Sequence, residues 1–236
     1  MVDFSGVQVD NVTLDEAVAR IEMMIASGKP HLVTTPNPEM IVAAQDDVEL
    51  REIVNKADLR IPDGISMVVV SRILGASLKE RVSGIDLMMK LIEVSALKGY
   101  SIFLLGSAPG VAEEAAENLL NRYPGLKIVG TYDGYFRDDS EVIPKIVEAE
   151  PDLLFAGLGA GRQEKWLDHH LAELKTVGMG IGGSLDVISG RKKRAPEWVR
   201  AMYIEWLYRL ITEPQRWKRQ LALPKFLYLT LIKKML

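Results

Sequence analysis

Between Ser101 and Gly130 the chain contains one unit that leaves little freedom in what can surround it. Ser101-Ile-Phe-Leu-Leu105 suits a strand buried on both faces. Gly106-Ser-Ala-Pro-Gly110 then turns the chain, an amphipathic segment runs to Arg122, and Leu126-Lys-Ile-Val-Gly130 supplies a second strand. A strand, a crossover helix and a second strand pair in parallel, and parallel sheets need helices on both faces.

The rest of the first 190 residues repeats that rhythm. Thr13-Leu-Asp-Glu16 reads as a capping box that opens a helix to about Ser27, followed by a strand at His31-Leu-Val-Thr-Thr35. Asn37 caps another helix, and a charged helix from about Asp47 to Ala57 leads into a short strand, Asp58 to Ile61, that ends at Pro62-Asp63-Gly64. Helices are expected from Gly84 to Lys98, Ser140 to Glu150 and Gln163 to Leu174, with strands at Asp152 to Gly157 and Val177 to Ile181. The pattern predicts an α/β fold with a mostly parallel sheet flanked by helices.

Charge divides the chain near Gly190. Residues 191–236 hold 12 Lys/Arg against 3 Glu, a net of +9, whereas residues 1–190 carry 17 basic and 29 acidic residues, a net of −12. We therefore expect an α/β core over 1–190 and a basic, aromatic helical appendage over 191–236, and such asymmetry points to a polyanionic partner. In the appendage Trp198, Tyr203, Trp206, Tyr208, Trp217, Phe226 and Tyr228 alternate with Arg194, Arg200, Arg209, Arg216, Lys218 and Arg219. That mixture suits an anionic membrane surface. For a helix over Pro196 to Ile211 there is a plainer reading, in which Tyr203, Trp206, Leu207 and Leu210 face the core and Glu205 pairs with Arg209. A nucleic-acid partner could use the same ingredients, but the acidic body argues against it.

The chain has no cysteine, which excludes disulfides and thiolate metal sites and fits a reducing compartment. The start, MVDFSGVQVDNVTLDEA, is acidic where a secretory leader would be basic and then apolar, so residence in the cytoplasm is expected. The apolar stretch Leu221 to Ile232 is interrupted by Pro224 and Lys225 and falls short of the roughly 20 residues a membrane span needs.

Ligands in open parallel sheets bind beyond the carboxyl ends of the strands. Four segments are expected there: 34–37, 62–64, 106–110 and 157–164. The Gly106 to Gly110 loop could cradle an anion, but it has neither the GxGxxG nor the GxxxxGK[ST] spacing, which leaves a dinucleotide-dependent oxidoreductase poorly supported. Gly182-Gly183-Ser184-Leu185-Asp186 sets a turn and a carboxylate after the last strand. His31, His169 and His170 lack HExxH spacing, no DxD pair is present, and no G-x-S-x-G elbow occurs, so neither a metal nor a nucleophilic serine is expected.

In this order the segments TTPNPEM (34–40), ADLRIPDGI (57–65), ERVSGIDL (80–87), FLLGSAPGVAEEAA (103–116), YPGLKIVGTYDGYF (123–136), LGAGRQEKW (158–166), GGSLDVISG (182–190), RAPEW (194–198) and EWLYRLITEPQRWKRQ (205–220) resemble the WecG/TagA/CpsF glycosyltransferases almost end to end. The family usually has a proline before Gln-Glu, and this chain has Gly161 there, so a looser loop is expected. The resemblance implies a Rossmann-like sheet and an inverting, metal-independent, cofactor-free transfer. N-acetylmannosamine or a related sugar would pass from a UDP-sugar donor to an undecaprenyl-diphosphate-linked N-acetylglucosamine, at the inner face of the cell membrane. It implies Asp63 as general base, with Thr35 and Asn37 orienting the sugar, Arg81 and Gln163 lining the same pocket, and Tyr135 and Asp186 contacting uridine. Without a metal, the leaving diphosphate needs cations. Arg209, Arg216 and Arg219 would share a face of a continuous helix that closes over the site. Self-association off the membrane is a further expectation for a tail this apolar.

Overall fold

Local signals set the first helices. Helix α1 (Leu14–Ser27) starts from the expected capping box, with Thr13 and Glu16 each accepting the other's backbone N–H, and ends on left-handed Gly28. Asn37 caps α2 (Pro38–Asp46), and Asp47 caps α3 (Val48–Lys56). The computed structural model describes residues 1–214 and 217–232, without the side chains of Arg209 and Lys218.

Ahead of α1, β1 (Val2–Phe4) and β2 (Val7–Val9) form an antiparallel hairpin that the sequence reading missed. The main sheet contains β3 (His31–Thr34), β4 (Leu59–Arg60), β5 (Ser101–Gly106), β6 (Lys127–Tyr132), β7 (Leu153–Gly157) and β8 (Val177–Gly180). All six run parallel, in the order β4-β3-β8-β7-β5-β6. Between them lie α4 (Ile65–Ile73), α5 (Gly84–Lys98), α6 (Val111–Arg122), α7 (Ile143–Ala149) and α8 (Arg162–Leu174).

Alternation along the strands divides the core between the two faces of the sheet. Ile102, Leu104, Phe155 and Met179 meet Ile21 of α1, Leu91 of α5 and Leu119 of α6 on one side. Phe103, Leu105, Leu154 and Ala156 meet Ile53, Ile146, Leu167 and Leu171 on the other. The crossover from β5 to β6 uses α6 on the first face, and that from β7 to β8 uses α8 on the second, in the opposite direction. Right-handed crossovers produce this opposition, and it makes the β5/β7 gap a topological switch point.

From Ser184 onward the chain is a string of short helices: α9 (Ser184–Ile188), α10 (Glu197–Ala201), α11 (Glu205–Thr212), α12 (Trp217–Gln220) and α13 (Ala222–Leu227), then a π-helical turn at Tyr228–Ile232. The single helix expected over 196–211 is broken at Tyr203. That residue is left-handed at φ 60°, with its own N–H on Arg200 O and the Ile204 N–H reaching back to Val199 O, a helix-ending pattern. The core-facing reading of this stretch fails as well, because Tyr203, Trp206 and Leu207 are exposed. Further on the tail docks. Phe226 is fully buried, 5.8 Å between ring centroids from Phe4, in a cluster with Val7, Met40, Ile41 and Met67. No helix among the described residues is long and apolar enough to cross a membrane.

Candidate active site at the carboxyl edge of the sheet

Parallel pairing of Thr34 with Arg60 places the loops after β3 and β4 side by side. The Ile61 N–H reaches Thr34 O, and the Asp63 N–H reaches Pro36 O at 3.0 Å, so Asp63 is set beside Thr35 by backbone bonds. The start of α5 closes over both. A Cβ built on Gly84 would lie 3.4 Å from Thr35 Cγ2 and 3.8 Å from Asp63 Oδ2, ordinary van der Waals distances, so the helix start packs directly on the pair. Helix α5 directs its positive end towards this carboxylate.

Arg81 adds a full charge. Its Nε is 4.0 Å from Asp63 Oδ1, and its Nη2 is 3.3 Å from Glu205 Oε2 at the start of α11. A guanidinium is thus held between a carboxylate of the core and one of the tail, all three largely shielded from water. Thr35 Oγ1 lies 3.5 Å from Gly180 O, at the end of β8. Asn37 spends its side-chain oxygen on the Met40 N–H, the cap of α2, at 3.0 Å.

A second group of residues lines a cleft of about 810 Å³ at the β5/β7 switch point, large enough for a nucleotide-sized ligand. Its floor is backbone: Ser107, Gly134, Gly157, Gly159, Gly182 and Gly183. Glycine is required at the neighbouring Gly106, where φ is 130° and a Cβ would come within 2.4 Å of Gly157 O. Tyr135 stands at the rim, and Asp186 enters from α9, 3.4 Å from Lys192 Nζ. Arg162, Lys192, Lys193 and Arg219 bring positive charge, and Glu213 joins them from the tail. Arg191 of the same basic run turns away, making two 2.7 Å bonds to Glu114 that hold that carboxyl below the usual carboxylate range. Arg194 pairs with Asp86 of α5.

The expected site residues therefore fall into two neighbouring groups. Thr35, Asp63 and Arg81 meet at the end of β3 and β4, while Tyr135, Asp186 and Arg219 line the cleft. Gln163 is 2 % exposed and lies between them, its side chain committed to Glu164 and to the Gly182 N–H. Arg216 lies outside the described residues, and only the backbone of Arg209 is described, so its expected pairing with Glu205 is left open. With α11 ending at Thr212 and α12 beginning at Trp217, the continuous-helix spacing of the three arginines does not apply.

Sequence reasoning did not select Glu205, Arg162, Lys192, Lys193 or Glu164 as site residues. Lys192 and Lys193 had a signal, a basic run shortly after a Gly-Gly turn. Burial pushes the Glu164 carboxyl up, while hydrogen bonds from Gln163 and Gly161 act in the opposite direction. The loop expected to be looser for want of a proline is instead tied down, since the Gly161 N–H donates to Glu164 at 2.7 Å.

Residues 2–236 match the model of the "Glycosyl transferase WecG/TagA/CpsF family". A protein of Bacillus subtilis (strain 168) is 39% identical over 205 residues, covering 86% of this chain and 79% of its own. One from Staphylococcus aureus (strain NCTC 8325 / PS 47) is 34% identical over 230 residues, covering 96% and 91%. Both are named N-acetylglucosaminyldiphosphoundecaprenol N-acetyl-beta-D-mannosaminyltransferase, as is a Bacillus spizizenii relative at 38% identity over 84% of this chain and 77% of its own.

Proposed function

Because the chain belongs to the WecG/TagA/CpsF family of glycosyltransferases, we propose that it moves N-acetylmannosamine from UDP onto undecaprenyl-diphosphate-linked N-acetylglucosamine in cell-wall polymer synthesis. The observation that carries this reading is the pairing of a glycine-floored, cation-rimmed cleft with a carboxylate one loop away. In the proposed reaction UDP lies across the switch point, its base near Tyr135 and Asp186 and its diphosphate facing Arg162, Lys192, Lys193 and Arg219.

Asp63 takes the proton from the acceptor hydroxyl as that oxygen attacks the anomeric carbon of the donor, with Thr35 positioning the sugar. The bond from the anomeric carbon to the UDP oxygen breaks on the opposite face, so the configuration inverts. Among the described residues no three His, Asp or Glu side chains gather to hold a metal ion. In this proposal the negative charge that develops on the departing UDP is offset by the fixed cations of the cleft, with Arg209 and Arg216 of the basic tail as further candidates.

The tail supports a peripheral place at the inner membrane face. Trp198, Met202, Tyr203, Trp206, Ile211 and Trp217 are exposed on a segment of net +9, the composition that an anionic, apolar boundary attracts.

Amide-exchange mass spectrometry with UDP alone tests the nucleotide assignment. Protection should appear over 106–110, 157–161 and 182–186 and be weak over 62–65. Protection confined to other segments, or none at saturating UDP, would contradict it.

A further inference from the structure

Glu164 has no exposed surface, yet both of its oxygens are used. Oε2 accepts the Gly161 N–H at 2.7 Å, and Oε1 accepts Gln163 Nε2 at 2.7 Å. Gln163 in turn accepts the Gly182 N–H on Oε1 at 3.0 Å. The relay spans two loops that floor the cleft, 157–161 after β7 and 182–186 after β8. It has almost no slack, because a Cβ on Gly180 would fall 2.6 Å from Gln163 Nε2 and 2.8 Å from Glu164 Oε1.

The polarity of this chain of bonds is fixed from both ends. Gly182 and Gly161 each present an N–H and need an acceptor. Gln163 must therefore turn its oxygen to Gly182, which aims its NH2 group at residue 164. Residue 164 then has to accept on both of its terminal atoms, Oε1 and Oε2, which a carboxylate does and a carboxamide cannot. Gly161 is part of the device: proline has no N–H to give and cannot adopt the φ of 84° found there.

We propose that Glu164 is a positioning residue for the donor, holding the β7 and β8 loops of the cleft in register through Gln163 and the amides of Gly161 and Gly182. The inference rests on the reading that this cleft takes the nucleotide. It makes Glu164 and Gln163 one unit, in which Gln163 acts on the donor through Gly182.

Glu164→Gln is the direct test, because it keeps volume and shape while replacing one acceptor by a donor. The NH2 group of the new side chain faces that of Gln163, so one bond of the relay is lost whichever way the amides turn. Amide exchange over 181–184 in the absence of ligand should then speed up by about tenfold, and UDP affinity should fall by about tenfold. The donor KM should rise while kcat changes far less, a split that general loss of folded protein does not produce.

The double variant Gln163→Glu/Glu164→Gln gives every donor an acceptor again. The carboxamide now at position 164 accepts from Gly161 and donates to the carboxylate now at position 163, which also accepts from Gly182. It should recover both the slow exchange and the UDP affinity. Unchanged exchange and affinity in Glu164→Gln, or a double variant no better than the single one, would overturn the proposal. If the exchange changes and their rescue appear while the wild-type protein binds no UDP, the relay stands and the nucleotide reading of the cleft falls.

Discussion

Replacing Asp63 with Asn is expected to lower turnover by about 10²–10⁴-fold, the usual contribution of a positioned general base, with UDP affinity close to that of the wild type. Asp63 is set by its own N–H on Pro36 O, faces Gly84 at the start of α5, and has Arg81 4.0 Å away. None of these groups lines the cleft assigned to the nucleotide. An amide keeps the side chain's volume and can still accept hydrogen bonds, so the loops should hold, but it cannot take the acceptor's proton. Isothermal titration with UDP beside a transfer assay separates the two effects, and an unchanged rate would remove Asp63 from the role of base.

Deleting residues 191–236 should lower turnover by at least ~10³-fold, the scale on which enzymes depend on cations that stabilise a leaving phosphate. The deletion takes Lys192, Lys193 and Arg219 from the cleft and Glu205 from Arg81. The six-stranded sheet and the clusters on its two faces contain no tail residue, so a folded core with strong far-UV dichroism should remain. It should melt earlier, because Phe226 fills the cluster between the hairpin and α2; Phe226→Ala alone should cost about 3 kcal/mol. A truncated protein that transfers sugar at the full rate would contradict the assigned role of the tail.

The sheet was legible because its signals are local. Glycines stand where strands turn into helices, Thr13 and Asn37 cap as their types predict, and Ile102 to Leu105 is apolar on both faces. The hairpin went unread because three-residue strands give only one repeat of alternation on either side of Ser5-Gly6. The break at Tyr203 had no glycine, asparagine or proline to announce it, since there a tyrosine takes the left-handed conformation.

Much of the candidate site was hidden for a different reason. Arg81 and Glu205 are 124 residues apart, and an exposed Glu205–Arg209 helix pair was as good a local reading. The family resemblance put Gln163 in the pocket, but its neighbours are decided by how closely Gly180 and Gly182 approach it. Asp63 stood out only through the family pattern; by turn chemistry alone, Pro-Asp-Gly is an ordinary bend.

The most direct measurement incubates the full-length protein with UDP-N-acetylmannosamine, a lipid-diphosphate-linked N-acetylglucosamine and excess chelator, and weighs the lipid product. The expected product is an acceptor one N-acetylhexosamine heavier, formed as fast with chelator as without. Free sugar and UDP with an unmodified acceptor would contradict it.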